Sequence, residues 1–234
     1  MLLAISTGGK LSRQAQEWGI PLLAFHYEAQ PRATVGYLFT PLLSIFERLG
    51  FLPPQQEAVQ EALEVARRLR DSWGAERPTT ENLAKQIADR CLNRGVIIYG
   101  SEYLAAVARR WKTQMNENAK TWSFYEEFPE LNHNSIVGYE YPKPFRGAVK
   151  VLMLSGSHLP PRIQLRMNVT RELLDRFGIR WERLEAEGSS RLAQMFSLIA
   201  LGDYASYYLA LLNRADPTAI APINFLKEAL ARAE

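Results

Sequence analysis

Two polar clusters in this sequence contain residues that could transfer protons. The first is "QMNENAK" (residues 114–120), in which Glu117 lies between two asparagines and near Lys120. The second is "FPELNHNS" (residues 128–135), which contains His133, one of three histidines in the chain. A carboxylate in a partly closed polar cluster is the usual base for removing a proton from carbon beside a carbonyl, and histidine titrates near neutral pH. The alternatives are a surface ion pair between Glu117 and Lys120, and a solvated histidine beside a helix cap.

The composition indicates a globular, mildly basic protein. Of its 234 residues, 47% are hydrophobic and 23% are charged, which is enough apolar content for a buried core. The formal net charge of +3 suits a small anionic substrate and does not indicate a nucleic-acid partner. The single cysteine, Cys91, rules out an internal disulfide, fits a reducing cytoplasm and is predicted to be a core residue. The apolar stretch 191–212 contains Asp203, so we expect a buried helix there and no membrane partner.

Residues 1–50 predict part of an α/β domain. The apolar run "LLAIS" predicts a buried strand, "TGG" a turn, and residues 10–18 a helix. A second strand, "PLLAFHY", and a helix over residues 33–50 follow, the helix closing at Gly50. Two strands are fewer than a parallel sheet needs, so the chain is expected to begin partway through an α/β domain.

The rest of the chain predicts two bridging helices and a second α/β unit. Residues 51–93 form the bridge, with Thr80 as the expected N-cap of its second helix. Beyond it, strands alternate with helices, which indicates a mostly parallel sheet between helix layers. The expected strands are residues 95–101, 148–155 and 179–188, and the expected helices are residues 101–120, 161–178, 189–213 and 217–232. The fold class is therefore α/β, and the expected domains are residues 1–50, 51–93 and 94–234.

Glycine-serine turns after strands are further candidate sites. Gly100 and Ser101 follow a predicted strand and open a helix, where free N–H groups and the helix dipole favour phosphate. The segment "ISTGG" near residue 6 has a similar form. The alternative, that both are ordinary turn and cap residues, stays open. His26 and His158 are interpreted as structural, and the sequence carries no metal-binding, P-loop or nucleophile-elbow motif.

Several segments along the whole chain carry a family resemblance. In order, they are "ISTGGKL", "QPRATVGY", "VIIYGSEYLAAVARRWKTQMNENAK", "FYEEFPELNHNSIVGYE", "RLAQMFSLIALGDYASYYLALL" and "DPTAIAPINFLK". With these segments the chain resembles the bifunctional phosphoglucose/phosphomannose isomerases, which consist of two sugar-isomerase (SIS) domains. The resemblance implies two SIS-type, flavodoxin-like parallel-sheet units flanked by helices, the first of them incomplete at its N-terminus.

The resemblance also implies an activity. The family interconverts glucose 6-phosphate or mannose 6-phosphate and fructose 6-phosphate through a cis-enediol, as cytoplasmic enzymes of glycolysis and gluconeogenesis. Glu117 would move the proton between C1 and C2 of the sugar. His133 would open the sugar ring in the partner subunit's site, so a homodimer would be the active unit. The resemblance implies neither a metal nor another cofactor.

Further site residues follow from the same resemblance. Lys227 would act at the sugar ring and hydroxyls, Arg32 would stabilise the enediolate oxygen, and Thr218 would help to admit the mannose configuration. The remaining candidates for substrate binding are Ser101, Asn116 and Asn132.

The sequence departs from the family pattern at its start. The family begins with roughly another hundred residues, which contain a Gly-Ser turn and a Ser-Gly-Asn-Thr loop for the substrate phosphate. Two alternatives to an active isomerase therefore stay open: a non-catalytic sugar-phosphate-binding module and a fragment that only dimerises. A fused DNA-binding helix-turn-helix and loss of the Glu, His and Lys set would favour the first. An exposed sheet edge and apolar surface would favour the second.

Overall fold

The structure is a computed structural model that describes residues 2–233, and its contacts divide the chain into a first unit ending at Gln55 and a second unit beginning at Gln56. The elements of the first unit are β1 (Ala4–Ser6), α1 (Gly9–Glu17), β2 (Leu22–Ala24) and α2 (Val35–Arg48). Its two strands are parallel, with Ala4 opposite Leu22. The two strands and two helices predicted for this part of the chain are therefore confirmed.

The second unit is built on a four-stranded parallel sheet in the order β4-β3-β5-β6. Its strands are β3 (Gly95–Gly100), β4 (Ser123–Glu127), β5 (Val149–Ser155) and β6 (Arg180–Glu185). Every residue of β5 is buried, as expected for a central parallel strand that is covered on both faces. The strand β3 pairs with β4 on one side and with β5 on the other, so the chain changes direction across the sheet at β3.

Three helices of the second unit pack against one long helix, α8 (Arg191–Leu212). In chain order they are α3 (Gln56–Trp73), α4 (Leu83–Cys91), α5 (Ala105–Glu117), α6 (Lys143–Ala148), α7 (Pro161–Phe177), α8 (Arg191–Leu212) and α9 (Ala221–Ala231). Helices α3, α4 and α5 all contact α8. The two helices that the sequence predicts as a bridge therefore belong to the packing of the second unit, where Leu69 and Ile87 are among their buried residues.

Helix α8 is long and apolar enough to cross a membrane by length and composition alone, with a mean hydropathy of 1.3 in its most apolar window. Half of that window is buried within the protein. Because three other helices cover it, α8 has the environment of a core helix, as the sequence predicts.

The two faces of the second sheet are covered differently. Gly100 lies against α5 so closely that a Cβ there would come within 2.7 Å of the Ala108 side chain. Strand side chains alternate between faces, so Val96 and Ile98 share this helix-covered face. On the opposite face the Tyr99 hydroxyl bonds the Tyr139 hydroxyl at 2.8 Å. That face is covered by a segment of short helical turns, residues 135–148.

Three local predictions are corrected by the structure. The strand β4 is absent from the sequence-based assignment, because "SFYEE" is short and carries polar residues at a sheet edge. The helix predicted over residues 101–120 ends at Glu117, and Lys120 has a φ of 54°, outside helical geometry. Asn82, and not Thr80, caps α4 by accepting a hydrogen bond from the Lys85 N–H at 3.1 Å.

Candidate functional site

The parallel sheet of the second unit has two ends that matter for function. We name the end at which its strands begin the amino edge, and the end at which they finish the carboxyl edge. Glu117 is the last residue of α5 and precedes β4, so it lies at the amino edge. His133 follows β4, so it lies at the carboxyl edge.

Close packing against α8 fixes the helix that carries Glu117. The buried Trp111 ring lies over Gly202, where a Cβ would come within 2.6 Å of the ring. The Trp111 indole N–H donates to the Leu198 carbonyl at 2.7 Å. Only glycine at position 202 allows this approach, so the two helices have little freedom to slide.

A charged cluster adds to this attachment. Arg110 donates to both carboxylate oxygens of Asp203, at 2.9 and 2.8 Å, and Gln114 donates to the same carboxylate at 2.8 Å. Burial raises the pKa of Asp203, and the adjacent Arg110 guanidinium opposes that rise. Gln114 and Arg110 lie about one turn and two turns before Glu117 on α5. Their hydrogen bonds to the Asp203 carboxylate therefore fix the rotation of α5 about its axis.

The turn after Glu117 is held by side-chain amides. Asn116 accepts a hydrogen bond from the Ser123 N–H at 2.9 Å, which connects the end of α5 to the first residue of β4. Asn118 donates to the Ser206 hydroxyl at 2.9 Å. Asn213 donates to the Ala119 carbonyl at 2.9 Å. The asparagines on either side of the half-buried Glu117 thus have structural partners. Asn116 is a candidate substrate-binding residue, but its amide oxygen already accepts the hydrogen bond from Ser123.

Lys120 connects this turn to the segment before α9. Its ammonium donates to the Glu117 carbonyl at 2.5 Å and to the Ala219 carbonyl at 2.7 Å. In the same segment Asp216 accepts from the Thr218 N–H at 2.8 Å and from its hydroxyl at 2.6 Å, and these hydrogen bonds lower the pKa of Asp216. The structure therefore brings the segment that carries Thr218 to the Glu117 turn.

Lys227 lies on α9, a helix with no buried residue among those the structure describes. Its side chain is exposed, and so are the nearby Phe225 and Leu226. Helix α9 follows directly from the segment that Lys120 binds. The structure thus places Lys227 on an exposed helix downstream of the Glu117 turn and does not bring the two side chains into contact.

The carboxyl edge presents His133 to solvent. His133 ends a short helical turn, and Asn134 caps the next turn by accepting from the Ser135 N–H. Asn132 donates to the buried Thr170 hydroxyl on α7 at 2.8 Å and accepts from Arg166 at 3.4 Å. The predicted cap and the outward position of His133 are confirmed, and α7 holds the preceding asparagine.

Glu117 and His133 of one chain lie at opposite edges of the sheet. The five residues of β4 separate them, at about 3.3 Å per residue, and the flanking loops lead away from opposite ends of the strand. Roughly 15 Å or more therefore lies between the two positions.

The crevice where parallel α/β sheets usually bind ligands is filled in the second unit. It lies at the carboxyl edge between β3 and β5. Ser101 is buried there and donates to the Phe128 carbonyl at 3.3 Å. The Tyr103 hydroxyl lies 2.5 Å from Gln194 and occupies the space over Gly156, where a Cβ would meet it at 2.2 Å. Protein side chains thus occupy the position expected for a phosphate.

Arg32 belongs to the first unit. It lies in a short helical turn (Pro31–Ala33), is half-buried, and donates to the Gln30 side chain at 3.4 Å. In the same unit, the Ser6 hydroxyl bonds Gly8 of "STGG" through both the Gly8 carbonyl and the Gly8 N–H. This serine forms a local turn, which is the alternative interpretation of that motif.

Two residues that hold the candidate site residues in place, Asp203 and Thr170, were not predicted from the sequence. Asp203 carries a visible signal, a carboxylate in an otherwise apolar helix, but its partners Arg110 and Gln114 lie about ninety residues away in sequence. Thr170 carries no signal, because its role depends on how α7 packs against the His133 turn.

Groups of metal-ligand residues and the cysteine thiol are the remaining candidates for chemistry in the described residues. Within residues 2–233, no three His, Cys, Asp or Glu side chains form a group that could hold a metal ion. Cys91 is fully buried, and burial raises the pKa of its thiol to about 12. This environment fits the predicted core role.

Comparison with known proteins identifies the family. Residues 80–230 match the model of the bacterial phospho-glucose isomerase C-terminal SIS domain. A bifunctional phosphoglucose/phosphomannose isomerase from Caldicellulosiruptor bescii is 41% identical over 231 residues, covering 98% of this chain and 68% of the relative. A protein of the same description from Thermoplasma acidophilum is 34% identical over 232 residues, covering 97% of this chain and 67% of the relative.

The solved structures agree on the fold. A glucose-6-phosphate isomerase-like protein from Thermus thermophilus superposes with a TM-score of 0.71 at 24% identity, covering 97% of this chain and 77% of that one. This similarity supports the fold, and the sequence matches support the lineage. The chain belongs to the bifunctional phosphoglucose/phosphomannose isomerase family.

Proposed function

We propose that this protein is an aldose–ketose isomerase that interconverts glucose 6-phosphate or mannose 6-phosphate and fructose 6-phosphate. Glu117 takes the proton from C2 or C1 of the open sugar and returns it to the neighbouring carbon through a cis-enediol. A carboxylate fixed by its helix is suited to this step, because the base must lie within hydrogen-bond reach of the carbon-bound proton. Positioning of this kind typically contributes about 10²–10⁴-fold in rate.

The separation of Glu117 and His133 is the observation that supports a site formed by two subunits. One lies at the amino edge and the other at the carboxyl edge of the same sheet. This separation favours a site that takes the two residues from two copies of the chain. We therefore assign His133 to the partner subunit's site, where it opens the sugar ring, and we assign the active form to a homodimer.

Supporting roles go to residues around the Glu117 turn and in the first unit. Thr218 lies in the segment that Lys120 ties to Glu117, and Lys227 lies on the helix that follows. We propose that they contact the sugar ring and hydroxyls, and that Arg32 stabilises the enediolate oxygen. Asn116, Asn132 and Ser101 have structural partners, so their contribution is to shape the site. The enzyme would act in the cytoplasm, in glycolysis or gluconeogenesis.

The filled crevice of the second unit weighs against the sensor alternative. A module that only binds sugar phosphate would be expected to keep the crevice at the carboxyl edge open. Here Tyr103 and Gln194 occupy it, while Asn116 beside Glu117 accepts a hydrogen bond from the Ser123 N–H.

A coupled assay tests the function. The 234-residue chain is incubated with fructose 6-phosphate, and glucose 6-phosphate is followed through a dehydrogenase; mannose 6-phosphate is tested in parallel. Glu117→Gln should lower turnover by about 10²–10⁴-fold while binding of fructose 6-phosphate, measured by calorimetry, is largely retained. The control is Glu172→Gln, an exposed glutamate on α7. Near-normal turnover by Glu117→Gln would refute the assignment of the base.

A further inference from the structure

The Lys120 side chain connects two segments that are far apart in sequence. Besides the Glu117 carbonyl at 2.5 Å, its ammonium contacts the Pro217 carbonyl at 3.4 Å and the Ala219 carbonyl at 2.7 Å. Pro217 and Ala219 are the two neighbours of Thr218. An ammonium has three N–H donors, so these three carbonyls can use all of them. Lys120 thus fixes the backbone around Thr218 with respect to the backbone of Glu117.

The backbone of Lys120 has a conformation that lysine rarely adopts. Its φ of 54° lies in the left-handed region, which favours glycine and asparagine. Such a conformation persists only where the surroundings determine it, and it occurs most often at functional sites. Asn213 supports the same turn by donating to the Ala119 carbonyl at 2.9 Å and to the Thr121 hydroxyl at 3.0 Å. The turn after Glu117 is therefore held on both sides of Lys120.

Asp216 holds the hydroxyl of the exposed Thr218 in one orientation. The hydroxyl donates its proton to the Asp216 carboxylate at 2.6 Å, and the Thr218 N–H donates to the same oxygen at 2.8 Å. These hydrogen bonds, together with the charge of Lys120, lower the pKa of Asp216, so its carboxylate stays ionised. A hydroxyl has one proton and two lone pairs, so the Thr218 oxygen is oriented to accept a hydrogen bond from a ligand hydroxyl.

We propose that Lys120 is a positioning residue for specificity, which fixes the Thr218 oxygen relative to Glu117 and thereby favours the mannose configuration at C2. The role rests on the proposed function, in which Glu117 moves the proton and Thr218 contacts the sugar. Glucose 6-phosphate and mannose 6-phosphate differ only in their configuration at C2, one of the two carbons between which Glu117 moves the proton. The position of a hydrogen-bond acceptor relative to this base therefore affects which of the two products forms. Lys120 acts through Thr218 and does not itself contact the reacting atoms.

The initial ratio of mannose 6-phosphate to glucose 6-phosphate formed from fructose 6-phosphate tests this role. Lys120→Met removes the ammonium and should lower the ratio about fivefold or more, because a small misplacement of a substrate contact has a large effect on rate. The ratio does not depend on the fraction of enzyme that is active, so partial unfolding alone would leave it unchanged. The control is Lys143→Met, an exposed lysine at the start of α6, which should keep the wild-type ratio.

Two further variants separate the ammonium from the backbone. Lys120→Gly accepts the φ of 54° without strain and lacks the ammonium, so it should show the same lowered ratio as Lys120→Met even where the latter folds poorly. Lys120→Arg keeps N–H donors at this position and should retain a ratio closer to that of the wild type. Circular dichroism verifies the fold of each variant.

The outcomes separate this role from the proposed function. A lowered ratio in Lys120→Met and Lys120→Gly, with a wild-type ratio in Lys143→Met, supports the role of Lys120. A wild-type ratio in both Lys120 variants would overturn that role and leave the assignment of Glu117 as the base intact. A wild-type chain without turnover, or near-normal turnover by Glu117→Gln, would overturn the proposed function and the role of Lys120 together.

Discussion

The two edges of the second sheet hold their candidate catalytic residues in different ways. At the amino edge, Glu117 ends helix α5, which is bound to α8 by hydrogen bonds of Trp111 and of Asp203. The turn after Glu117 is also bound to α8, through the hydrogen bond of Asn118 to Ser206. At the carboxyl edge, His133 lies on an exposed pair of short turns, connected to the rest of the unit through Asn132.

The difference matches the role that we propose for each residue. A base that moves a proton between adjacent carbons must keep its distance to both, so a rigid helix end suits it. A histidine that works in another subunit must be accessible before assembly and gains its final surroundings from the partner. The amino edge is thus pre-formed within one chain, whereas the proposed dimer would complete the carboxyl edge.

Removal of the charge on Asp203 should have the largest effect, since it disrupts the support of Glu117. Asp203→Asn takes away the carboxylate that pairs with the Arg110 guanidinium, whose side chain is only 17% exposed. We expect the free energy of unfolding to fall by about 2–3 kcal/mol and turnover to fall with it. Urea denaturation measures the first quantity and the coupled assay the second.

A matched control is Asp89→Asn, an exposed aspartate on α4, which should change stability by less than about 0.5 kcal/mol. Equal stability of Asp203→Asn and Asp89→Asn would show that the Arg110 pair does not fix α5.

Loss of the Thr170 hydroxyl should have a smaller and more selective effect, since it loosens the His133 turn. Thr170→Val keeps the volume but removes the acceptor for Asn132, at a cost of about 1 kcal/mol. We expect kcat to fall about three- to tenfold with KM nearly unchanged, because His133, the residue proposed to open the ring, loses its orientation. Thr40→Val, in α2 of the first unit, serves as the control. A Thr170→Val enzyme with wild-type kcat would mean that α7 does not orient His133.

The smallest effect is expected at Glu61, which ties the loop before α8 to α3. The side chain and backbone of Ser190, with the Ser189 N–H, lower the pKa of Glu61 from 4.5 to about 2. In the unfolded chain this carboxylate takes up a proton at higher pH than in the folded protein. Its stabilisation is therefore complete above pH 4.5 and is lost as the pH falls toward about 2.

When the pH is lowered from about 7 to about 3, the free energy of unfolding should accordingly fall less for Glu61→Gln than for the wild type. Urea midpoints at the two pH values measure the difference. If both proteins lose the same stability on acidification, Glu61 does not hold this loop in the manner described.

The sequence predicts the parts of this molecule that depend on local pattern. Buried strands such as "GVIIYG" and "VKVLMLS" are mostly apolar runs, and Gly178, with a φ of 68°, ends α7 where the pattern requires it. The "NHNS" turn is also local, because an asparagine cap and an outward histidine follow from four adjacent residues. These features need no knowledge of distant contacts.

Other features depend on contacts that sequence spacing does not reveal. The edge strand β4 forms because β3 pairs with it, although "SFYEE" alone has a weak strand pattern. The helix with Glu117 ends where Asn116 binds Ser123, and its rotation is fixed by Asp203 from a helix far along the chain. The closed crevice at Ser101 depends likewise on Tyr103 meeting Gln194. Tertiary packing, and not propensity, decides each of these.

The central claim is that Glu117 and His133 act together only across two subunits, and mixing two inactive variants tests it most directly. Glu117→Gln and His133→Gln are purified separately, mixed in equal amounts, dissociated and allowed to reassemble. Each mixed dimer would contain one site with both residues intact, so about a quarter of wild-type specific activity should return. Activity no higher than the average of the two separate variants, in a mixture shown to contain mixed dimers, would contradict the account.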